Sequence, residues 1–99
     1  MDINVTKSDN QLTIALTGRL DTSTASELDA SLAENLPGVT DLTFDFTNLD
    51  YISSAGLRSL LATQKKMNAV DGKMAIKNAN DIIKEAFEIT GFIDILTLI

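Results

Sequence analysis

Two neighbouring serines, Ser53 and Ser54, lie in Asp50-Tyr51-Ile52-Ser53-Ser54-Ala55-Gly56-Leu57, where an alternating apolar run gives way to helical spacing. At such strand-to-helix junctions of open α/β sheets ligands and modifications gather, and the first helical N–H groups there have no partner within the helix. Either serine can accept a hydrogen bond from those groups as an N-cap, so a structural and a functional role are both open. Gly56 in the first turn costs roughly 1 kcal/mol relative to Ala, which implies that something approaches the backbone closely at this point.

Other chemistries find little support. The chain has no cysteine and no histidine, which removes disulfides, thiolate zinc sites, cysteine nucleophiles and the commonest general base and metal ligand. Without histidine to activate it, serine is a poor nucleophile, and Ser-Ala-Gly lacks the glycine two positions before the serine that a hydrolase elbow requires. Neither a phosphate-binding G-x-x-x-x-G-K-[ST] loop nor a G-x-G-x-x-G dinucleotide fingerprint is present. Asp21, Asp45 and Asp50 would make a hard-cation site if their loops converged, but no EF-hand pattern accompanies them and they read as solvated carboxylates, so no metal or cofactor is expected. Lys65-Lys66 reads as a solvated helix face.

The elements that position the serines follow from periodicity. Ile3 and Val5, then Leu12, Ile14 and Leu16, alternate with mostly polar residues around the turn formers Ser8-Asp9-Asn10, which predicts a hairpin closed by Gly18. Thr24 and Glu27 have capping-box spacing, and Ala25, Leu28, Leu32 and Leu36 form one stripe, so a helix is expected over about 24–36, stopped by Pro37-Gly38. Leu42, Phe44 and Phe46 alternate as a third strand, and Asn48 to Ser53 is read as a short connection. Leu57, Leu60, Leu61, Gln64 and Met67 place a second helix over about 54–69. Met74 and Ile76 mark a fourth strand after Asp71-Gly72. Asn78 or Asn80 caps a third helix with Ile82, Ile83, Ala86 and Phe87 on its apolar face and Gly91 at its end. The apolar run 92–99 is expected to be a buried strand or a short element packed on the core. Helices linking successive strands imply an α/β domain with a mixed, mostly parallel central sheet and helices packed on it.

Ninety-nine residues, 44% hydrophobic and 22% charged, suit a single domain that removes about 60–65% of its chain's surface from water. No apolar run reaches the length of a bilayer span and the amino terminus lacks a signal peptide's regions, so no membrane partner and a cytoplasmic location are expected. The net charge of −6 disfavours nucleic acid. Between Leu20 and Asp50 there are seven carboxylates and no Lys or Arg, which suits either a solvated acidic surface or a docking face for a basic partner.

Three segments in order, Gly18-Arg19-Leu20-Asp21, the run Asp45 to Leu57, and Glu88-Ile89-Thr90-Gly91-Phe92, make the sequence similar to the STAS domain of stand-alone anti-sigma factor antagonists, the bacterial modules of partner-switching regulation. The resemblance covers residues 1–99 and implies a single STAS-type domain, with no counterpart of the family's final helix. It implies a binding module rather than an enzyme. Unphosphorylated, such a module sequesters an anti-sigma factor that is also a serine kinase of the GHKL ATPase type. Phosphorylation on serine releases that partner, and a PP2C-type phosphatase reverses it. The acceptor serine lies two residues before the motif's glycine, which here is Ser54, with Ser53 second; Ser53 stands where aspartate is frequent. The partner-binding surface implied is Asp21, Thr22, Ser23, Asp50, Tyr51, Ser53, Ser54, Ala55, Gly56, Leu57 and Arg58, although Asp21 also suits plain turn capping. The alternative reading is a small-ligand or nucleotide sensor using the same helix N-terminus.

Overall fold

Alternating side chains build four strands, the last three of which bury one face. The computed structural model describes all residues, Met1–Ile99, as β1 (Asp2–Ser8), β2 (Gln11–Leu20), α1 (Thr22–Asn35), β3 (Asp41–Ile52), α2 (Ser54–Ala69), β4 (Lys73–Lys77), α3 (Asp81–Thr90) and a short 3-10 helix, Phe92–Asp94. The sheet order is β1-β2-β3-β4, with β1 antiparallel to β2 and the other pairs parallel. Register aligns Leu12, Leu42 and Met74 in one row and Ile14, Phe44 and Ile76 in the next, all buried. Their neighbours Thr13, Ala15, Thr43, Asp45, Ala75 and Lys77 stay half-buried on the opposite face. Right-handed crossovers that step one way across the sheet put α1 and α2 on the same side of it. There Ala25, Leu28 and Leu32 of α1, Leu57, Leu60 and Met67 of α2, and Ile83 and Phe87 of α3 join the strand residues in one core. No helix is long and apolar enough to cross a membrane.

The helix expected from residue 54 to 69 and the fourth strand stand where the periodicity places them, whereas other boundaries move. The capping box of α1 lies one turn earlier than Thr24 and Glu27: Asp21 is the N-cap and Thr24 its reciprocal partner, so α1 begins at Thr22. Asn48 to Ile52 is not a connection but the continuation of β3. Two places where β3 contains one residue more than β2, between the Ala15 and Thr17 pairs and between the Gly18 and Arg19 pairs, shift the buried phase from Phe46 to Leu49 and then to Ile52. Accordingly Gly18, at φ +105°, does not close β2, which runs on to Leu20. Asn80, not Asn78, caps α3, through Oδ1 accepting from the Ile83 N–H at 2.9 Å. The last apolar run forms the 3-10 turn and a single parallel bridge of Leu98 to Ile76 rather than a full strand.

Candidate functional site

The carboxyl ends of β2, β3 and β4 each run within a few residues into a helix N-terminus, so the three caps Asp21, Ser53 and Asn80 follow neighbouring strands. Backbone pairing brings the first two together: Leu20 pairs with Ile52, and the Ser53 N–H donates to the Leu20 carbonyl at 2.8 Å. Asn80 joins the same region by donating from Nδ2 to the Leu49 carbonyl at 3.0 Å.

Asp21 starts α1 through one carboxylate oxygen and its backbone N–H. Its Oδ1 accepts from the Ser23 N–H at 3.1 Å, the Ser23 hydroxyl at 2.9 Å and the Thr24 N–H at 3.1 Å, while its own N–H donates to Thr24 Oγ1 at 2.8 Å. The Thr24 hydroxyl in turn reaches the Arg19 carbonyl at 2.8 Å. The Thr24 N–H, followed by the Ser23 and Thr24 hydroxyls, favours the charged form and holds the Asp21 carboxyl below the usual carboxylate range. The turn-capping role of Asp21 is therefore real, and Ser23 serves it.

The two serines divide the work at α2. Ser53 is the cap, with Oγ accepting from the Gly56 N–H at 3.3 Å. Ser54 is the first helical residue, exposed, and takes no part in the cap. Gly56 is explained by the core: a Cβ there would lie 2.7 Å from Leu20 Cγ and 2.9 Å from Ile52 Cγ1. The close approach implied by that glycine is made by these two side chains and not by a ligand. Gly56 and Leu57 are buried, so the expected contact surface narrows to its accessible members, Thr22, Ser23, Asp50, Tyr51, Ser53, Ser54, Ala55 and Arg58, beside Asp21.

Tyr51 and Asp50 sit at the end of β3. Asp50 is exposed, the extra residue between the pairs Gly18–Leu49 and Arg19–Tyr51. The Arg19 guanidinium lies 4.2 Å from the centre of the Tyr51 ring, a cation–π contact that fixes a basic group at this edge. Arg19 was not among the expected contact residues; its signal in the sequence was its position in the Gly18 to Asp21 segment. Thr22, Ala55 and Arg58 continue into a groove of about 520 Å3 between α1 and α2, whose other lining residues include Ser26, Asp29, Ser59 and Lys66. Their repeat of three and four along the two helices was the sequence signal for it.

Asp21, Asp45 and Asp50 do not come together as a group. No three acidic side chains converge anywhere as metal ligands would, and Asp45 instead accepts from the Thr47 hydroxyl and N–H and from Asn78. These bonds, that of the Thr47 hydroxyl foremost, hold the Asp45 carboxyl below its ordinary range. The arrangement suits docking and the acceptance of an anion at Ser54, where helical N–H groups and the dipole favour negative charge.

Comparison with known proteins agrees in family and fold. The family model of the STAS domain matches residues 2–99. BtrV of Bordetella bronchiseptica, provisionally assigned as an anti-sigma factor antagonist, is 35% identical over 96 residues, which cover 96% of this chain and 83% of BtrV. The anti-sigma-B factor antagonist of Staphylococcus aureus is 31% identical over 97 residues, covering 97% of this chain and 90% of that protein. The solved structure of the anti-sigma factor antagonist SpoIIAA in its unphosphorylated form superposes with a TM-score of 0.79 at 18% identity, covering 99% of this chain and 87% of SpoIIAA. The phosphorylated form of SpoIIAA from Bacillus gives the same 0.79 at 19% identity, covering 99% and 91%. At that identity the likeness to SpoIIAA is one of fold.

Proposed function

The chain belongs to the STAS domain family, and on that premise we propose that it is an anti-sigma factor antagonist, a binding module whose affinity is set by phosphorylation of Ser54. Unmodified, it sequesters an anti-sigma factor that acts on it as a serine kinase of the GHKL ATPase type; phosphorylated, it releases that partner. A PP2C-type phosphatase returns it to the binding state. It acts in the cytoplasm and catalyses no reaction itself. The names of the Bordetella and Staphylococcus relatives support this reading.

The observation that carries the choice of serine is the division of labour at α2: Ser53 is spent on the cap, and Ser54 presents an exposed hydroxyl at the first helical position. A phosphate there adds about −1.5 to −2 charges next to free N–H groups, which the helix terminus tolerates. A partner docked over a neutral serine would instead have to desolvate a dianion beside Asp50 and Asp21. Like-charge repulsion and lost hydration of a few kcal/mol correspond to a hundredfold or more in affinity.

Incubation with the cognate kinase and ATP, followed by fragment-ion mass spectrometry, tests the reading. Phosphate is expected on Ser54. Phosphate confined to Ser53, or to a serine outside this junction, overturns it.

A further inference from the structure

Ser54 and Arg58 are one helical turn apart on α2, at positions i and i+4. Helical side chains lean toward the N-terminus, so a residue at i+4 covers the surface over residue i. Arg58 is exposed and is also a lining residue of the groove between α1 and α2, with Thr22, Asp29 and Lys66 among its neighbours there. It therefore has two destinations, the groove and the space above Ser54. A guanidinium is a planar fork that can bind two oxygens of a phosphate at once, and a neutral serine gives it no reason to choose the second destination.

The other cations near this end are committed or distant. Arg19 lies on the Tyr51 ring. Lys65 and Lys66 belong to α2 but are eleven and twelve residues beyond Ser54, about 16–18 Å along the helix axis. The acidic groups at the junction, Asp21 and Asp50, repel a phosphate and leave Arg58 as the basic side chain within one turn of it.

We propose that Arg58 reads the modification state of Ser54: with Ser54 free it lines the α1–α2 groove, and with Ser54 phosphorylated it leaves the groove to pair with the phosphate. Phosphorylation then alters the docking surface in two places, adding a dianion at the start of α2 and withdrawing a cation from the groove, where Lys66 remains with Asp29. The inference rests on the reading of Ser54 as the phosphate acceptor.

The test uses protein in which phosphoserine is incorporated at position 54 during translation, so that it needs no kinase. Phosphorus NMR across pH 4–8 follows the second ionisation of the phosphate in the otherwise wild-type chain and in Arg58→Gln and Arg58→Lys. In Arg58→Gln that ionisation is expected about 0.15–0.4 pH unit higher, with Arg58→Lys between the two. The backbone amide signals of Asp29 and Ala62, which line the groove, are expected to move on phosphorylation in the wild-type background and to stay put in Arg58→Gln. Equal ionisation in the wild-type and Arg58→Gln backgrounds overturns the pairing, and groove signals that ignore the phosphate overturn the withdrawal. A kinase that modifies another serine would refute the acceptor assignment while leaving this result intact.

Discussion

Gly56→Ala should destabilise the domain although alanine is the better helix former. The added Cβ would lie 2.7 Å from Leu20 Cγ, 2.9 Å from Ile52 Cγ1 and 3.0 Å from Leu20 Cδ2. Leu20 is completely buried and Ile52 is 6% exposed. The nearest atoms are branch carbons close to the backbone, not flexible tips, so two packed side chains or the start of α2 must move. Overpacking of this kind costs about 1–3 kcal/mol, and replacing a helical glycine by alanine returns about 1 kcal/mol. With two independent contacts under 3 Å, the upper part of that range applies and a net loss of about 1–2 kcal/mol remains. In a domain of this size that lowers Tm by about 4–15 °C. Urea unfolding followed by circular dichroism measures it, with Ala62→Gly as the control on the same helix, which should lose about 1 kcal/mol through propensity alone. If Gly56→Ala equals or exceeds the wild type in stability, packing against Leu20 and Ile52 is not why glycine stands there.

Two further predictions concern the starts of the two helices. Ser54→Asp should weaken binding of the anti-sigma partner by about a hundredfold while changing stability by no more than about 0.5 kcal/mol, the usual range for an exposed site; calorimetric titration beside thermal unfolding separates the two, and normal binding or gross unfolding would defeat the electrostatic account. Asp21→Asn preserves the cap acceptor and should leave the circular dichroism spectrum unchanged, but it removes a carboxylate whose folded-state pKa is depressed. Such a group stabilises the fold above its unfolded pKa, near 3.8, and that contribution disappears as pH falls through the lower folded value. The wild type should therefore lose its advantage over Asp21→Asn between pH 5 and pH 2 in urea titrations, and a difference independent of pH would show that the charge of Asp21 is immaterial to folding.

Legibility in the sequence depended on whether one periodicity governed a whole element. Residues 57 to 67 keep a single helical phase, so α2 could be bounded from spacing, and the hairpin was legible because turn formers separate two alternating runs. β3 was legible only to Phe46, since the first extra residue against β2 inverts the alternation and puts Leu49 out of phase with Phe44, and the second inverts it again before Ile52. The start of α1 offered two overlapping hydroxyl or carboxylate pairs at capping distance; Asp21 with Thr24 prevailed over Thr24 with Glu27 because β2 delivers the chain to the helix at Leu20, four positions before Thr24. Gly56 announced a close contact but not its partner, because Leu20 is 36 positions away in the chain and only the parallel pairing of β2 with β3 brings it near. The repeat of three and four along each helix marked the faces that line the groove beside Arg58, but not that α1 and α2 lie side by side to form it.

On the proposed reading of Ser54, the same pairing accounts for a switch in binding that would leave the fold intact. Adjacent parallel strands deliver α1 and α2 with their N-termini together, and each helix carries its own cap, Asp21 and Ser53, fixed by backbone N–H groups. Neither cap involves the hydroxyl of Ser54, so a phosphate added there breaks none of the hydrogen bonds that start either helix. What changes is the surface a partner must dehydrate. The α1 N-terminus, through the Thr24 N–H first, lowers the pKa of Asp21, and Asp50 is exposed near the end of β3 in the more acidic half of the chain. A neutral Ser54 leaves that acidity spread out and solvated, whereas a dianion concentrates it at the point of closest approach, where desolvation is costliest. With Ser54 as the acceptor, the free energy of modification would therefore fall on the interface and not on the core.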